Sequence, residues 1–184
     1  MELVSYADLK NFLGLEDALI TDYPALNIIR SSVEYAFDNY LGRFLESTER
    51  TDTFYVTGPT RIISLPAIPV TAVSSLVVTM LNEDETYTLA DDDFIIVKGG
   101  LELLVRLRNA KIAITYTGGL SSAPVDIGRA ALLQTVYEFM GKDQVGATTV
   151  KTEGGFVARP ATNLLSVVKS LLSKHMHPYK ITDK

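Results

Sequence analysis

The stretch KIAITYTGGLSSAPVDIGRAALLQTVYEFMG, from Lys111 to Gly141, combines a strand pattern and a helix pattern around which the other elements are arranged. Every second residue from Ile112 to Tyr116 is large and apolar, which is the period of a strand with one buried face. Two adjacent glycines then break the strand. Pro124 suits the first position of a helix, because that position needs no backbone N–H. The helix that follows is apolar on nearly all sides, so we expect it to be buried on nearly all sides.

Two helices are predicted before this stretch. Ser5 can cap the first helix, Tyr6–Leu13, with Asp8 as its partner, and Gly14 follows as a stop. The second helix, Pro24–Leu41, carries apolar residues at spacings of three and four, which is typical of an amphipathic helix. Both helices would therefore bury one face.

The period changes to two between the second helix and the central strand. Short β-branched and apolar runs between residues 50 and 116 are separated by turn signals such as Gly58–Pro59 and Gly99–Gly100. No helix alternates with these runs, which favours antiparallel pairing. The segment Leu65–Val73, LPAIPVTAV, contains prolines that a central strand does not accept, so we expect an edge or a connection there.

The chain changes character after Gly141. Residues 142–160 contain four Gly or Pro residues and little periodicity, which is typical of a mobile linker or an extended arm. A last helix is predicted over residues 161–176. Residues 1–141 carry ten Lys/Arg and 19 Asp/Glu, a net charge of −9, whereas residues 142–184 carry seven and three, a net charge of +4. The charged tail either meets a different partner from the body or is charged only to stay solvated.

The fold class predicted from these patterns is α+β. We expect a small helical bundle of Tyr6–Leu13, Pro24–Leu41 and Pro124–Met140, with an antiparallel β-rich insert between the second and third helices. Residues 1–141 would form the core domain, and residues 142–184 would form a C-terminal arm and helix. No apolar run approaches the roughly 18 residues of a membrane span, and no signal-peptide pattern opens the chain, so we expect a soluble protein made in the cytoplasm.

No residue pattern predicts catalysis, a metal or a cofactor. The chain has no Cys, which excludes disulfides and thiolate chemistry. The two acidic runs could hold Ca²⁺ or Mg²⁺, but they lack a known ligand spacing, and solvated loops are the favoured interpretation. These runs are Glu83, Asp84, Glu85 and Asp91, Asp92, Asp93. His175 and His177 are two residues apart on a helix and do not face each other, so a surface tail is predicted.

Five motifs in a fixed order point to a family. They are Tyr40-Leu-Gly-Arg43, the proline segment Leu65–Val73, Thr115-Tyr-Thr-Gly-Gly119, Ala123-Pro-Val-Asp-Ile-Gly-Arg-Ala-Ala131 and Tyr137-Glu-Phe139. In this order, over about residues 5–141, the chain resembles the head–tail connector proteins of tailed bacteriophages, which are also called adaptor or head-completion proteins. The resemblance implies a non-catalytic virion protein without a cofactor, located in the neck.

The resemblance also implies partners. Members of this family form a ring, usually with the portal's twelve-fold symmetry, that docks under the portal protein and extends the DNA channel. A stopper or tail-completion protein would bind on the tail side, and DNA would pass without specific binding. The alternative is another phage neck or tail-completion factor that acts as a monomeric or lower-order binding module.

Two surfaces follow from the ring interpretation. The C-terminal segment would bind the portal, because its last helix has a wide apolar face and its charge is opposite to that of the body. The residues expected there are Val150, Phe156, Leu165, Val168, Leu172 and Lys174. The competing interpretation is that the last helix folds back onto its own bundle as a core helix. The acidic loops at residues 83–85 and 91–93 would line the channel and repel DNA.

Overall fold

The computed structural model describes residues 2–14, 24–82, 85–141, 149–152, 155–158 and 164–178. These residues form an α+β fold. The helices, in chain order, are α1 (Tyr6–Leu13), α2 (Pro24–Leu41), α3 (Val125–Met140) and α4 (Ser166–Leu172). The strands are β1 (Thr48–Val56), β2 (Thr60–Ser64), β3 (Val70–Met80), β4 (Thr86–Thr88), β5 (Phe94–Val97), β6 (Gly100–Leu107), β7 (Ala110–Gly118), β8 (Thr149–Thr152) and β9 (Gly155–Ala158).

The chain forms two compact units. The β unit comprises the described residues of Leu41–Ser122 and Met176–Lys184, and the helical unit comprises those of Glu2–Tyr40 and Ala123–His175. The units therefore divide the chain differently from the predicted boundary at Gly141, since α4 belongs to the same unit as α3.

The β unit contains two antiparallel sheets, with strand orders β1-β7-β3-β4 and β2-β6-β5. Their inner faces share one hydrophobic core, to which β7 contributes Ile112, Ile114 and Tyr116, all with no exposed surface. The alternation read from the sequence is therefore the alternation of core and surface in β7. Within the sheet, β7 pairs with β1 on one side and with β3 on the other.

The proline segment is divided between a connection and a strand. Pro66 and Pro69 lie between β2 and β3, in a link that contains the cis peptide bond Ile68–Pro69. Val70–Val73 begins β3 and pairs with β7. Because β4 pairs only with residues 77–79 of β3, this first part of the strand lies at an edge of the described sheet, as predicted. No proline occurs after Pro69 in this segment, so each following residue can donate to the sheet.

Capping in the helical unit follows the sequence. Ser5 Oγ accepts a hydrogen bond of 3.1 Å from Asp8 N at the start of α1, and Gly14 ends the helix with a φ of 64°. Helix α2 ends at Leu41, and Gly42 follows with a φ of 65°. Glycine takes this left-handed conformation without steric cost, which explains both helix ends.

Helix α3 begins at Val125, with Pro124 as its cap residue, one position later than expected. Its middle is buried, including the polar side chains of Gln134 and Thr135, but the side chains at its two ends are exposed. The expectation of burial on nearly all sides therefore holds for the middle of the helix only. At the ends, Val125 and Met140 are 85% and 73% exposed.

The C-terminal part contains more regular structure than the sequence predicted. Strands β8 and β9 form an antiparallel hairpin within the segment expected to be a linker or an arm. Helix α4 is shorter than the predicted 161–176, of which residues 161–163 lie outside the described residues, and a 3₁₀ turn, Ser173–His175, follows it. No helix in the described parts of the chain is both long and apolar enough to cross a membrane.

Candidate functional surfaces

The acidic run at Asp91–Asp93 forms a 3₁₀ turn that leads into β5. Asp91 and Asp92 are exposed, whereas the Asp93 carboxylate accepts a hydrogen bond of 2.9 Å from Ala90 N. The first acidic run is described only at Glu85, which is exposed; Glu83 and Asp84 lie outside the described residues. No group of three or more His, Asp or Glu side chains within the described ranges is arranged to hold a metal ion.

The residues predicted to bind the portal fall into two groups. Val150 and Phe156 lie on the hairpin, where Val150 pairs with Val157 and Phe156 pairs with Lys151, so the two residues occupy different rungs. The other four residues lie at or near α4, in the helical unit.

Two of these four are core residues. Val168 and Leu172 have no exposed surface, so in this conformation they cannot contact a partner, and the prediction that they do so requires correction. Leu165 is half-buried at the start of α4, and Lys174 is exposed after its end. The apolar face of α4 packs within the helical unit, as in the competing interpretation, because this burial removes apolar surface from water.

Gln134 has a structural role that the sequence pattern did not predict. It looked like an interruption of an apolar helix, yet it is 2% exposed, and its Oε1 accepts a hydrogen bond of 3.0 Å from Leu165 N. Its Nε2 donates to Glu138 Oε1 at 2.9 Å. The backbone at the start of α4 is thereby attached to α3. The available signal was a single amide four residues before a glutamate inside an apolar helix, which favours a helical side-chain pair.

The two C-terminal histidines do not form a common site. His175 Nε2 lies 3.8 Å from Asp126 Oδ2 in the helical unit. His177 is 8% exposed in the β unit, where its Nε2 lies 2.9 Å from Leu65 O and its backbone N–H donates to Leu41 O. The prediction of a surface tail is therefore wrong for His177. Because a carbonyl oxygen can only accept, Nε2 carries the proton in this bond.

A buried tyrosine fixes the proline link. Tyr116 OH donates to Asp52 Oδ2 at 2.8 Å and accepts a hydrogen bond of 3.2 Å from Ala67 N. Burial, reinforced by the hydrogen bond to Asp52, raises the pKa of Tyr116 well above its ordinary value near 10. The hydroxyl therefore stays protonated and satisfies a buried backbone N–H.

The two glycines after Tyr116 are required by close backbone contacts. A Cβ on Gly118 would lie 2.2 Å from Ala67 O, and a Cβ on Gly119, whose φ is 115°, would lie 2.3 Å from Glu46 O. Both distances are far below van der Waals contact. The Gly-Gly pair therefore has a packing role at the end of β7.

The outer faces of the two sheets differ in chemistry. The outer face of the three-stranded sheet carries Ile62 and Ile95, which are 52% and 53% exposed, on either side of Glu102. The outer face of the four-stranded sheet is rich in hydroxyl groups, including a hydrogen bond of 2.8 Å between Thr51 Oγ1 and Thr115 Oγ1. Neither face is part of the core shared by the two sheets.

No family model matches the sequence, and no curated protein matches it. Solved structures do match. A chain of the neck of an empty gene transfer agent (GTA) particle, computed with C6 symmetry, has a TM-score of 0.64 at 16% identity, over 96% of this chain and 91% of that chain. A chain of the virion of a native GTA particle gives 0.63 at 16% identity, with the same coverage. A chain of the neck of a native GTA particle, computed with C12 symmetry, gives 0.56 at 17% identity, over 96% and 90%. This protein therefore has the fold of a chain from the neck of a phage-like particle, and the resemblance to head–tail connectors is confirmed as a likeness of fold.

Proposed function

We propose that this protein is a structural component of the neck of a tailed-phage particle, where it joins the head to the tail. The observation that carries this proposal is the shared fold with neck chains of GTA particles over 96% of the sequence. The ordered connector motifs from Tyr40 to Phe139 support it independently, because they come from the sequence and not from the fold.

In this proposal twelve copies form a closed ring under the portal protein and extend the DNA channel. A ring requires one surface of each copy to meet a different surface of the next copy. The β elements would act as the family's insert within a helical bundle, between its second and third helices. A stopper or tail-completion protein would bind the other side of the ring, and no catalytic step is involved.

The C-terminal segment, residues 142–184, would bind the portal. Its net charge of +4 is opposite to the −9 of residues 1–141, which favours an acidic or mixed surface on the portal. The contacts would come from the hairpin at Val150 and Phe156, from Leu165 and from the exposed ammonium of Lys174. Val168 and Leu172 would contribute indirectly, because they hold α4 within the helical unit.

The exposed carboxylates at Glu85, Asp91 and Asp92 would face the channel, together with Glu83 and Asp84. Like charges repel over about 10 Å at an ionic strength near 0.1 M, so acidic loops would keep DNA from adhering during passage. This surface needs no specific contact with DNA, which fits a net charge of −5 for the whole chain.

The test is assembly on the portal ring of the same particle. We expect negative-stain images of the mixture to show a second ring of twelve subunits, and cross-linking to show neighbouring copies in contact. Lys174→Ala should weaken portal binding, whereas Lys98→Ala, at an exposed lysine in the turn between β5 and β6, should not. Isolated monomers on the portal would favour the alternative, a binding module of lower order, and the absence of any binding would contradict both.

A further inference from the structure

We infer that neighbouring copies of this chain contact each other through the two outer faces of the β unit, with Glu102 of one copy paired to Lys111 of the next. The inference rests on the proposed ring and names the contact that would build it. Both residues lie on central strands, Glu102 on β6 and Lys111 on β7. Each is the middle one of three residues that lie side by side on neighbouring strands; we call such a set of three a row.

The first row is apolar with one anion at its centre. The register places Glu102 opposite Ile62 of β2 and opposite Ile95 of β5, so the three side chains lie side by side on one face. Both isoleucines are more than half exposed, and Glu102 is half-buried. Within the described residues, the Glu102 carboxylate has neither an ion pair nor a hydrogen bond. A partner for this row needs apolar surface around a cation.

The second row has the complementary composition. The register places Lys111 opposite Tyr55 of β1 and opposite Thr79 of β3. Tyr55 is 66% exposed and Lys111 is exposed. The Lys111 ammonium likewise has no ion-pair partner in the described parts of the chain. This row therefore offers a cation beside a large aromatic ring.

The two rows point away from each other. Glu102 lies between Leu101 and Leu103, which are core residues, and Lys111 lies between Ala110 and Ile112, which are also core residues. Successive side chains on a strand point to opposite faces, so both charged residues face outward from sheets whose inner faces share a core. A contact between the two rows of successive copies therefore propagates from copy to copy, as a ring requires.

Charge selects this contact over the symmetric alternatives. If two copies met through the same face, Glu102 would approach Glu102 or Lys111 would approach Lys111, and like charges that meet across an interface are unfavourable. Contact between unlike faces pairs opposite charges and covers Ile62, Ile95 and Tyr55 in the same step. The Glu102 row of one copy therefore binds the Lys111 row of a second copy.

The inference is tested by charge reversal in the full chain, with assembly on portal rings as the measurement. Glu102→Lys places two cations at the contact, and Lys111→Glu places two anions there. Each variant alone should form at least about tenfold fewer cross-linked neighbours than the wild type, which corresponds to about 1.4 kcal/mol per contact. The double variant Glu102→Lys/Lys111→Glu should recover assembly. An equal mixture of the two single variants should recover it too, because alternating copies restore every pair.

Two controls and a second measurement complete the test. Lys98→Glu and Arg108→Glu reverse charges at exposed residues between strands and should assemble as the wild type does. Because the chain has no natural Cys, Tyr55→Cys/Ile95→Cys should give a ladder of disulfide-linked oligomers on oxidation, whereas either single variant should not. This cysteine pair reports the contact even if a charge reversal lowers stability.

The outcomes separate the inference from the proposed function. If wild-type rings form, and the single reversals assemble normally or the mixture fails to recover, the pairing is wrong while the ring remains. An absent ladder with intact wild-type rings has the same meaning. If the wild type forms no cross-linked neighbours on the portal under any condition, the ring and the pairing are both wrong.

Discussion

The β unit and the helical unit each contain a segment whose backbone groups are hydrogen-bonded outside any strand or helix. The two segments differ in how many such bonds they receive. In the β unit this segment is the proline link between β2 and β3. Its backbone groups are bound from several directions: Leu65 O by His177, Pro66 O by Phe44 N, Ala67 N by Tyr116, Ile68 O by Arg43 and Pro69 O by Gly119 N.

In the helical unit, the start of α4 receives fewer hydrogen bonds to its backbone than the proline link does. Among the described residues, Leu165 N is bound by the side chain of Gln134, and Val168 and Leu172 are buried. After the helix, Lys174 and His175 lie 3.9 and 3.8 Å from the Asp126 carboxylate. From this difference we expect the proline link to unfold with the cooperative core of its unit and α4 to open as a local unit.

Gly118→Ala should have the largest effect, because the new Cβ would collide with the backbone of the proline link at Ala67 O. Overpacking against backbone that cannot yield should lower the free energy of unfolding by about 3 kcal/mol. Denaturant unfolding measures this loss. The matched control is Gly58→Ala, where an added Cβ meets no atom within 4 Å. Equal stability of the two variants would contradict the tight packing of the link.

Tyr116→Phe should lower the free energy of unfolding by about 1–3 kcal/mol, because Ala67 N and the Asp52 carboxylate each lose a buried partner. The loss should appear in the cooperative unfolding of the β unit. Thr115→Ala is the control, since it removes an exposed hydroxyl pair on the outer face of the same strand. A loss below that of the control would show that the other bonds to the link are sufficient.

Stability should fall at high pH through the same hydroxyl. The folded pKa of Tyr116 lies above its unfolded value near 10, so its contribution is complete below pH 10 and is lost as the pH rises further. Between pH 10 and pH 11 the wild type should lose up to about 1.4 kcal/mol more than Tyr116→Phe does. Unfolding curves at the two pH values measure the difference. Parallel losses in both proteins would refute the assignment.

Gln134→Ala should release α4 locally at a cost of about 1 kcal/mol, because one part-buried hydrogen bond is lost. Hydrogen exchange should accelerate at the amides of α4 and stay unchanged in the β unit. The control is Glu138→Ala, which leaves the bond from Leu165 N to Gln134 in place. If exchange instead accelerates throughout both units, α4 belongs to the cooperative core and the contrast is lost.

Asp91→Asn/Asp92→Asn should have the smallest effect, about 0.5 kcal/mol or less, since both side chains are exposed and neither touches the proline link. The variant should melt within a few degrees of the wild type, and chelator should shift neither protein. A chelator-dependent drop in the wild type alone would reveal a structural cation at this turn.

Elements whose pattern is local could be predicted from the amino-acid sequence. The period of two in β7, the stripe of α2, the Ser5 cap and the stops at Gly14 and Gly42 all report how a segment must lie relative to its own buried face. The same patterns and their order indicated an α+β connector-like fold. For the surfaces, they indicated Lys174, Asp91 and Asp92, which are exposed and whose partners remain predictions.

The surface that each buried face contacts could not be predicted from the sequence and is known from the three-dimensional structure. The sequence showed that α4 has a wide apolar face, but it did not show that Val168 and Leu172 are buried within their own chain. The reason is that a helix has the same apolar pattern whether that face packs against its own chain or against a partner. Gln134, His177 and Tyr116 act through backbone groups 31, 112 and 49 residues away, and no local period records such a pairing. The position of Glu102 between Ile62 and Ile95 also could not be predicted from the sequence. It depends on strand register, and register is set by long-range packing.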